Sequence, residues 1–560
     1  MTHEVYDVVI AGGGPFGLML ANELGRRGIS AVLFDEKSST AFNPQANATQ
    51  ARTMEHFRRL GFAEEIRALG MPEDFPTDIA YFTRFARHEL ARFRLPSARE
   101  AREKVLTMTG SWSAAELPHR VSQKFVERVL RKHAEALATI SVNYGWRVSE
   151  FSDTGDAVTV IAGAVEGGAT RVVRCKYLVG GDGARSTVRK ALGIRHQGDG
   201  GAVRDFFGGK MFALYLRCPQ FYEVVPFPPA WMNVAFNDER RAFMAAVDGQ
   251  GEFAFHTQLK DGEREEDISD EQAISMFQAA VGYPLDAEIL SRGTWTAGYA
   301  LVAEKFQVGR VFLGGDAVHL FTPAGGLGYN TAVDDAVNLG WKLAAVIKKS
   351  ASPFLLDTYE LERRPVAIRN TGFAKKFAES IGNYSPKAGL ETESELGSEL
   401  RKEAGTYLEA HGRAEFNIPG VTFGARYDHS PAIFSEAGES GSDLPDVYTP
   451  TASPGGRAPH VWLDARTSLF DRFGFEWTLL RLRPSSCKGD EIVAAASTAG
   501  LEVTVVDIDS DQLLELYRDP LVLIRPDQVV AWRGDEHAEA TTIIKRVLGF
   551  TCSQEERAAG

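Results

Sequence analysis

The sequence contains little cysteine, only four residues in 560. They are Cys175, Cys218, Cys487 and Cys552, and no two of them stand in a C-x-x-C or other metal-ligand spacing. Disulfide-stapled secreted domains and structural zinc sites need cysteines that are paired or regularly spaced. The sequence therefore predicts neither a disulfide framework nor a metal site, and we expect four reduced thiols in a cytoplasmic protein.

Long hydrophobic runs are missing as well. Glycine or charge interrupts each apolar stretch before the roughly 18 residues that a membrane-spanning helix requires, and residues 1–4 lack the basic segment of a secretory signal.

Positive charge is also scarce, since the chain has 62 Lys and Arg against 75 Asp and Glu, which gives a net charge of −13. An acidic protein repels nucleic acid and anionic membranes. We expect a soluble protein that binds neither.

Glycine, in contrast, is abundant, with 54 residues in a chain that is otherwise ordinary in its hydrophobic (44%) and charged (24%) content. At about 150 residues per domain, the length predicts three or four domains. Glycine serves where the backbone turns sharply or closely approaches another backbone or a ligand. The positions of the glycines therefore guide the search for a site.

The first glycine cluster forms a G-x-G-x-x-G motif from Gly12, Gly14 and Gly17. Residues 6–11 before it are a continuous apolar run typical of a buried parallel strand, and residues 18–27 after it have helical periodicity. In such a turn the first glycine permits the bend, the second lets a pyrophosphate approach, and the third lets the helix pack against the strand. Free amides at the helix start would then face the phosphate.

An acidic residue follows at the expected distance. Residues 31–34 predict a second strand that ends at Asp35, 23 positions after Gly12, where a carboxylate would bind a ribose hydroxyl. Glu36 is the alternative. Glycine turns between strand and helix also occur without any dinucleotide, but strand, helix and acid in register predict dinucleotide binding. The motif alone leaves FAD and NAD open.

Two further strands run into glycine turns. Residues 177–183 read YLVGGDG and residues 311–316 read VFLGGD, the latter continuing through PAGGLGYN at 323–330. Together with the first motif, these segments resemble the G-x-G-x-x-G, D-G and G-D fingerprints of the class A, single-component FAD-dependent aromatic monooxygenases. This is the family of para-hydroxybenzoate hydroxylase and phenol hydroxylase. Other segments resemble the same family, and they extend the match over nearly the whole chain: 51–55, 122–123, 334–343, 359–365 and 424–431.

The resemblance implies an α/β fold with a Rossmann-like FAD-binding domain, an inserted mixed or antiparallel β-sheet substrate domain, and a thioredoxin-like C-terminal domain. The expected boundaries are 1–75, 116–190 and 290–378 for the FAD-binding domain, 76–115 and 191–289 for the substrate domain, 379–445 for a helical linker, and 446–560 for the C-terminal domain. The last of these lacks C-x-x-C, so thiol redox chemistry is excluded there.

The resemblance also implies which residues bind FAD. They are Gly12, Gly14, Pro15, Phe16, Gly17, Asp35, Glu36, Arg52, Gln123, Asp182, Arg185, Asp316, Gly326, Leu327, Gly328 and Asn330. Asp316 would accept a hydrogen bond from the ribityl chain, and residues 326–330 would donate to the side of the ring where reduced flavin gathers negative charge. Asp182 and Arg185 would lie near the pyrophosphate and the nicotinamide. The alternative for both aspartates is that each only caps the helix that follows it.

Between the second and third fingerprints the chain is rich in aromatic residues, and short alternating runs such as 211–216 and 231–236 predict antiparallel strands. In the family this sheet forms the substrate pocket. The preferred lining residues are Tyr215, Trp231, Asn233, His256 and Pro323. His256 and Asn47 are the weak candidates for acid–base chemistry. Phenol hydroxylase has an active-site aspartate near the position where this chain has Asn47. An asparagine is no base at neutral pH, so a phenol would lose its proton to another residue or to a water chain, or would be an already acidic substrate.

The implied reaction is hydroxylation of a phenol or related arene, ortho to an existing hydroxyl, with NADPH or NADH and O2 through a flavin C4a-hydroperoxide. The expected partners are the small aromatic substrate and O2, and the expected state is a homodimer. A polyketide-tailoring hydroxylase of the same fold is the nearest alternative. A halogenase or reductase on the same scaffold is another, although the W-x-W-x-I-P segment of the halogenases is missing. A flavin-binding module without activity is the third.

Overall fold

The computed structural model describes residues 4–201, 206, 208–237, 239–436 and 443–551, so Cys552 lies outside the described residues. The strands are β1 Glu4–Ala11, β2 Ala31–Asp35, β3 Ile79–Phe82, β4 Glu89–Phe93, β5 Ile140–Tyr144, β6 Trp146–Asp153, β7 Val158–Ala164, β8 Thr170–Gly180, β9 His196–Gly200, β10 Gly209–Arg217, β11 Met232–Ala235, β12 Ala242–Ala246, β13 Glu252–Gln258, β14 Glu288–Ala297, β15 Tyr299–Ala303, β16 Gln307–Val308, β17 Val311–Leu313, β18 His319–Leu320, β19 Trp477–Arg481, β20 Val503–Asp507, β21 Leu521–Ile524 and β22 Val530–Gly534. The helices are α1 Pro15–Arg26, α2 Ala51–Arg59, α3 Ala63–Arg67, α4 Ala98–Lys104, α5 Gln123–Glu135, α6 Thr187–Ala191, α7 Phe221–Val224, α8 Asp270–Val281, α9 Leu327–Ile347, α10 Thr358–Gly382, α11 Glu395–Phe416, α12 Pro419–Phe423, α13 Asp490–Thr498, α14 Asp511–Tyr517 and α15 Ala540–Val547.

The first sheet contains the three strands that precede the glycine turns. Its path is β16-β17-β8-β1-β2-β5, with β7 and β6 attached to β8, and β1 runs parallel to both β2 and β8. Val8, Val9 and Ile10 of β1 are completely buried, which explains the continuous apolar run in the sequence. Because parallel strands end at one edge of a sheet, the turns after β1, β8 and β17 meet there.

The second sheet has the order β14-β10-β13-β12-β11-β3-β4. Helix α8 covers one face of this sheet, where Phe277 meets Phe255 of β13 with ring centroids 5.6 Å apart. The predicted boundary at residue 290 is wrong, since β14 pairs with β10 from Glu288 to Ala297 and so belongs entirely to this sheet.

The C-terminal part contains a separate sheet with the order β20-β19-β21-β22. Strand β20 is parallel to β19, whereas β21 and β22 are antiparallel to their neighbours. These strands lie at four strand-like runs of the sequence, at 477–482, 501–507, 520–525 and 529–533. Trp477 of β19 packs edge-on against Trp341 of α9 at 5.6 Å, so the C-terminal sheet is joined to the cofactor side by a buried aromatic contact.

A buried ion cluster crosses the same boundary. Glu55 of α2, with 1% of its surface exposed, accepts from Arg457 Nε at 2.9 Å and from Arg52 Nη1 at 2.9 Å. Burial alone would raise the pKa of Glu55, but the charges of Arg457 and Arg52 lower it to about 2. The carboxylate is therefore ionised whenever the protein is folded near neutral pH.

We expect this carboxylate to make the fold acid-sensitive. Its pKa in the folded protein lies below the ordinary 4.5, so its contribution is complete above pH 4.5 and is lost as the pH falls from 4.5 to 2. A shift of this size corresponds to about 3 kcal/mol of the free energy of unfolding. Urea unfolding across this pH range should show a shallower pH dependence in Glu55→Gln than in the wild type. Glu150→Gln, at an exposed position, should keep the wild-type dependence, and a Glu55→Gln curve parallel to the wild type would contradict the assignment.

Candidate functional site

The three glycine turns meet around one buried aromatic ring, that of Phe16 at the start of α1. A Cβ atom on Gly181 would come within 2.5 Å of this ring, and one on Gly314 within 2.2 Å. Only 3% of Phe16 is exposed. Turns about 130 residues apart in the sequence thus pack on the same side chain, which explains why each must be glycine.

The first turn contains glycines of two kinds. A Cβ on Gly12, where φ is +108°, would lie 2.2 Å from Gly181 O, and one on Gly17 would lie 1.9 Å from Gly12 O. At Gly14 no described atom lies within 4 Å of that position. Helix α1 begins there with Pro15 and without a side-chain cap. The open space before a helix N-terminus with free amides fits a pyrophosphate.

Asp35 lies directly at this turn. Its Oδ2 accepts from Gly13 N at 2.6 Å, while the hydroxyl of Tyr144 donates to Gly13 O at 3.0 Å. The alternative, Glu36, is exposed and pairs with Arg147 at 2.6 Å on the other side of β2. Of the two acids, the structure brings only Asp35 to the glycine turn.

The two motif aspartates differ in what they bind. Asp182 accepts from Thr187 N at 2.6 Å and Val188 N at 3.2 Å, so it caps the start of α6. Asp316 is exposed and has no hydrogen-bond partner among the described residues. The surrounding protein nevertheless withdraws water from its carboxylate and raises the pKa of Asp316. An accessible yet poorly hydrated carboxylate on a cleft wall suits a ligand that donates hydroxyl hydrogen bonds.

The loop before α9 turns sharply, with φ of +66° at Gly325 and +65° at Gly326. Asn330 fastens this loop, because its Nδ2 donates to Ala48 O at 2.9 Å and its Oδ1 accepts from Gln50 N at 2.8 Å. Asn330 was predicted to donate to the flavin, but the structure uses its amide within the protein. Gly328 stays partly accessible and Leu327 is buried in the second core.

Arg52, Gln123 and Arg185 do not meet in one place. Arg52 turns towards the C-terminal sheet and donates to Gln528 Oε1 at 2.7 Å, so its guanidinium is used within the protein. Gln123 donates from its side chain to Glu127 Oε1 at 2.7 Å, and Arg185 is exposed beside the second turn. The partner of Arg52 lies in the C-terminal part of the chain, whereas that of Gln123 lies one turn further along α5.

The acid–base candidate His256 is already occupied. Its Nδ1 accepts from Trp295 Nε1 at 3.1 Å, and its ring stacks on Phe243 at 4.5 Å. An indole N–H can only donate, so this nitrogen has no lone pair left for a substrate proton. Burial lowers the pKa of His256 to about 4. His256 is therefore neutral at physiological pH, and its basic nitrogen is already used by Trp295.

Two other predicted lining residues also have partners. The hydroxyl of Tyr215 accepts from Lys124 and donates to Glu252. Asn233 lies opposite Met244 in the β11–β12 pair, and Met244 lies opposite Phe255, which contacts α8. Directly opposed residues share one face of a sheet. Asn233 thus lies on the face of the sheet that packs against α8.

Trp231 and Asn47 are the predicted residues with open polar atoms. The indole Nε1 of Trp231 and the Oδ1 of Asn47 are buried and have no hydrogen-bond partner among the described residues. Pro323 is exposed in the loop before α9. One residue of this region, Arg120, was not among the candidates from the sequence. Its guanidinium lies 4.3 Å from the Trp231 ring. Its only signal in the sequence was its place two residues before Ser122-Gln123.

Comparison with known proteins agrees with this arrangement. Residues 5–374 match the family model "FAD binding domain", and residues 451–550 match "Aromatic-ring hydroxylase, C-terminal". The FAD-dependent monooxygenase apdD of Emericella nidulans is 30% identical, over 97% of this chain and 90% of its own. The phenol 2-monooxygenase of a Pseudomonas species is 28% identical, over 98% and 93%. The rebeccamycin biosynthetic enzyme RebC with reduced flavin superposes with a TM-score of 0.85 at 31% identity, over 98% and 100%. Among the described residues, no helix is both long and apolar enough to span a membrane.

Proposed function

The chain belongs to the FAD-dependent aromatic-ring hydroxylases, and we propose that it hydroxylates a phenol, ortho to the existing hydroxyl, with NAD(P)H and O2. It is an FAD-dependent monooxygenase of aromatic substrates. The open approach to Gly14 carries the cofactor assignment, since a Cβ there would meet no described atom while its neighbours Gly12 and Gly17 are packed against backbone. Such a selective opening is what a bound pyrophosphate requires.

When bound, FAD supplies the redox chemistry by accepting hydride from the nicotinamide and activating O2. The chain's own groups orient it. The amides at the start of α1 would bind the pyrophosphate, Asp35 beside Gly13 would bind the ribose, and the carboxylate of Asp316 would accept from the ribityl chain. The backbone of residues 325–328 would donate to the side of the ring that becomes anionic on reduction.

The substrate lies between the glycine turns that would hold FAD and the face of the second sheet that carries Phe243 and His256. The contact between His256 and Trp295 closes that wall and keeps water away from the reacting oxygen. With Nδ1 of His256 occupied and an amide at Asn47, neither candidate accepts the proton of the phenol. The proton therefore leaves through water, or the substrate binds already ionised.

The remaining assignments are part of the same proposal. The order β20-β19-β21-β22, with β20 parallel to β19, supports a thioredoxin-like C-terminal domain that acts as a scaffold. The second sheet, extended to Ala297, forms the substrate domain inserted into the FAD-binding domain. The buried free thiols of Cys175, Cys218 and Cys487 support a reducing, cytoplasmic location, and we take the enzyme as a homodimer.

The function is tested by stopped-flow kinetics on the purified holoprotein with NADPH or NADH and a panel of phenols. We expect the correct phenol to accelerate flavin reduction and to yield a catechol that contains one atom of labelled O2. The matched control is the same protein without a phenol, which should reduce slowly and release hydrogen peroxide. Phenols that neither accelerate reduction nor gain oxygen would refute the proposal, and a polycyclic substrate alone giving product would favour the polyketide alternative.

A further inference from the structure

Arg120 is a buried arginine at the border between the cofactor cleft and the second sheet. Residues Thr49 and His119 pair through two backbone hydrogen bonds of 2.9 and 2.8 Å, which fixes the segment that carries Arg120 beside the cofactor loop. Gln50, next to Thr49, donates to Gly325 O at 2.7 Å. Only 6% of Arg120 is exposed. Its guanidinium is therefore held inside the protein, close to the proposed position of the flavin.

This guanidinium has no ion pair and no hydrogen bond with any residue that the structure describes, and its Nη1 is completely buried. It lies over two aromatic rings, those of Trp231 at 4.3 Å and Phe416 at 5.7 Å. Two other buried arginines are paired: Arg363 with Asp335 at 2.7 Å and Arg525 with Glu362 at 2.8 Å. An unpaired buried charge is costly and rare in a folded protein. A bound anion would explain the unpaired charge of Arg120.

The nearest acid does not fill this role. Glu415 accepts from Gly325 N at 2.9 Å with one oxygen and pairs with His411 at 2.9 Å through the other. It attracts Arg120 only through space, and burial lowers the pKa of Arg120 to about 10, so the guanidinium stays charged at neutral pH. Beside it, the indole N–H of Trp231 is buried and also unpartnered. Two adjacent donors thus lack an acceptor.

We propose that Arg120 and Trp231 bind an anionic oxygen of the aromatic substrate, so that the enzyme selects aromatic acids over their neutral counterparts. The inference rests on the proposed function and deepens it by naming the substrate class. Arginine binds carboxylates and other oxyanions through strong charge-assisted hydrogen bonds. The rings of Trp231 and Phe416 add apolar walls on which an aromatic acid can pack. A carboxylate and an ionised hydroxyl share this chemistry, and the experiment separates them.

The test compares matched ligands on the full-length holoenzyme, with dissociation constants read from the change in the visible spectrum of bound FAD. The carboxylate pair is 4-hydroxybenzoate and 4-hydroxybenzamide; the phenolate pair is pentafluorophenol and pentafluoroanisole. In at least one pair the anion should bind about tenfold or more tightly than its neutral partner, as expected for hydrogen bonds to a charged group. The pair that shows the preference identifies the source of the oxygen.

Arg120→Gln should reduce this preference to near unity and leave the neutral ligand within about threefold of the wild type, since it removes only the charge-assisted bonds. Arg120→Lys should keep part of the preference. Arg99→Gln, at an exposed position, should keep all of it. Equal binding of both members in both pairs by the wild type would overturn the inference without any variant, as would an equal loss for acid and neutral ligand in Arg120→Gln.

A stability measurement separates ligand binding from a structural role. Removing an unpaired buried charge should relieve its desolvation cost, so Arg120→Met should melt at a higher temperature than the wild type without ligand and gain no further stability from the preferred anion. A lower melting temperature would mean that Arg120 holds the fold and would overturn the inference. Because these readouts need no turnover, absence of hydroxylated product would refute the proposed function alone.

Discussion

Replacing Gly14 with alanine will remove FAD from the protein while leaving the polypeptide fold intact. The backbone at Gly14 has φ −80° and ψ −171°, which any residue adopts, and an added Cβ meets no described atom within 4 Å. The methyl group enters the space in which the pyrophosphate must approach the backbone. Losing about two charge-assisted hydrogen bonds should raise the Kd for FAD about 100-fold. Fluorescence titration of the apoprotein measures this, with thermal melting as the check on folding.

Two further glycines are the controls for this experiment. A Cβ on Gly17 would lie 1.9 Å from Gly12 O, so Gly17→Ala should lower the melting temperature of the apoprotein and FAD binding together. Gly163 lies in β7 with open space around it, and Gly163→Ala should change neither. If the Gly14→Ala protein is purified with a full complement of FAD, the pyrophosphate does not lie at this turn.

The elements around the glycine turns were predictable because their signals are local. β1, β8 and β17 are apolar runs that end in glycine, as buried parallel strands do. The face of a strand is harder to predict, because an offset of one residue moves every side chain to the other face. Asn233 shows this: the sequence predicts its strand, but only the register with Met244 reveals that it faces α8.

The site was predictable as a place and less so as a set of side chains. Asp182 and Asp316 have the same kind of motif, yet Asp182 caps α6 and Asp316 has no hydrogen-bond partner among the described residues. This difference depends on how the chain continues after each turn. Arg52 finds its partner Gln528 in another domain, and no local pattern encodes such a contact. Arg120 resembles any surface arginine in the sequence; its burial and lack of a partner emerge only from the packing of the two sheets.

Replacing Arg525 with alanine should cause the largest loss of stability. Arg525 donates to both oxygens of Glu362, at 2.8 and 2.9 Å, and Lys342 donates to the same carboxylate at 2.6 Å. Burial opposes ionisation of Glu362, but these charges hold its pKa far below the ordinary range. Removing one partner of a buried ion cluster costs about 3–5 kcal/mol because a charge is left without compensation. Urea unfolding of the apoprotein measures this free energy.

Arg483→Ala is the matched control, since Arg483 also lies in the C-terminal part but pairs with Asp509 at 2.6 Å on the surface. Exposed pairs contribute about 0–1 kcal/mol, so a similar loss in both variants would contradict the role of burial.

The ion cluster of Arg525 and Glu362 also extends towards the residues that would hold FAD. Arg363, next to Glu362, binds Asp335 at 2.7 Å, and Asp335 binds His319 at 2.7 Å, close to Asp316. Arg525→Ala should therefore weaken FAD binding as well, through this series of ion pairs.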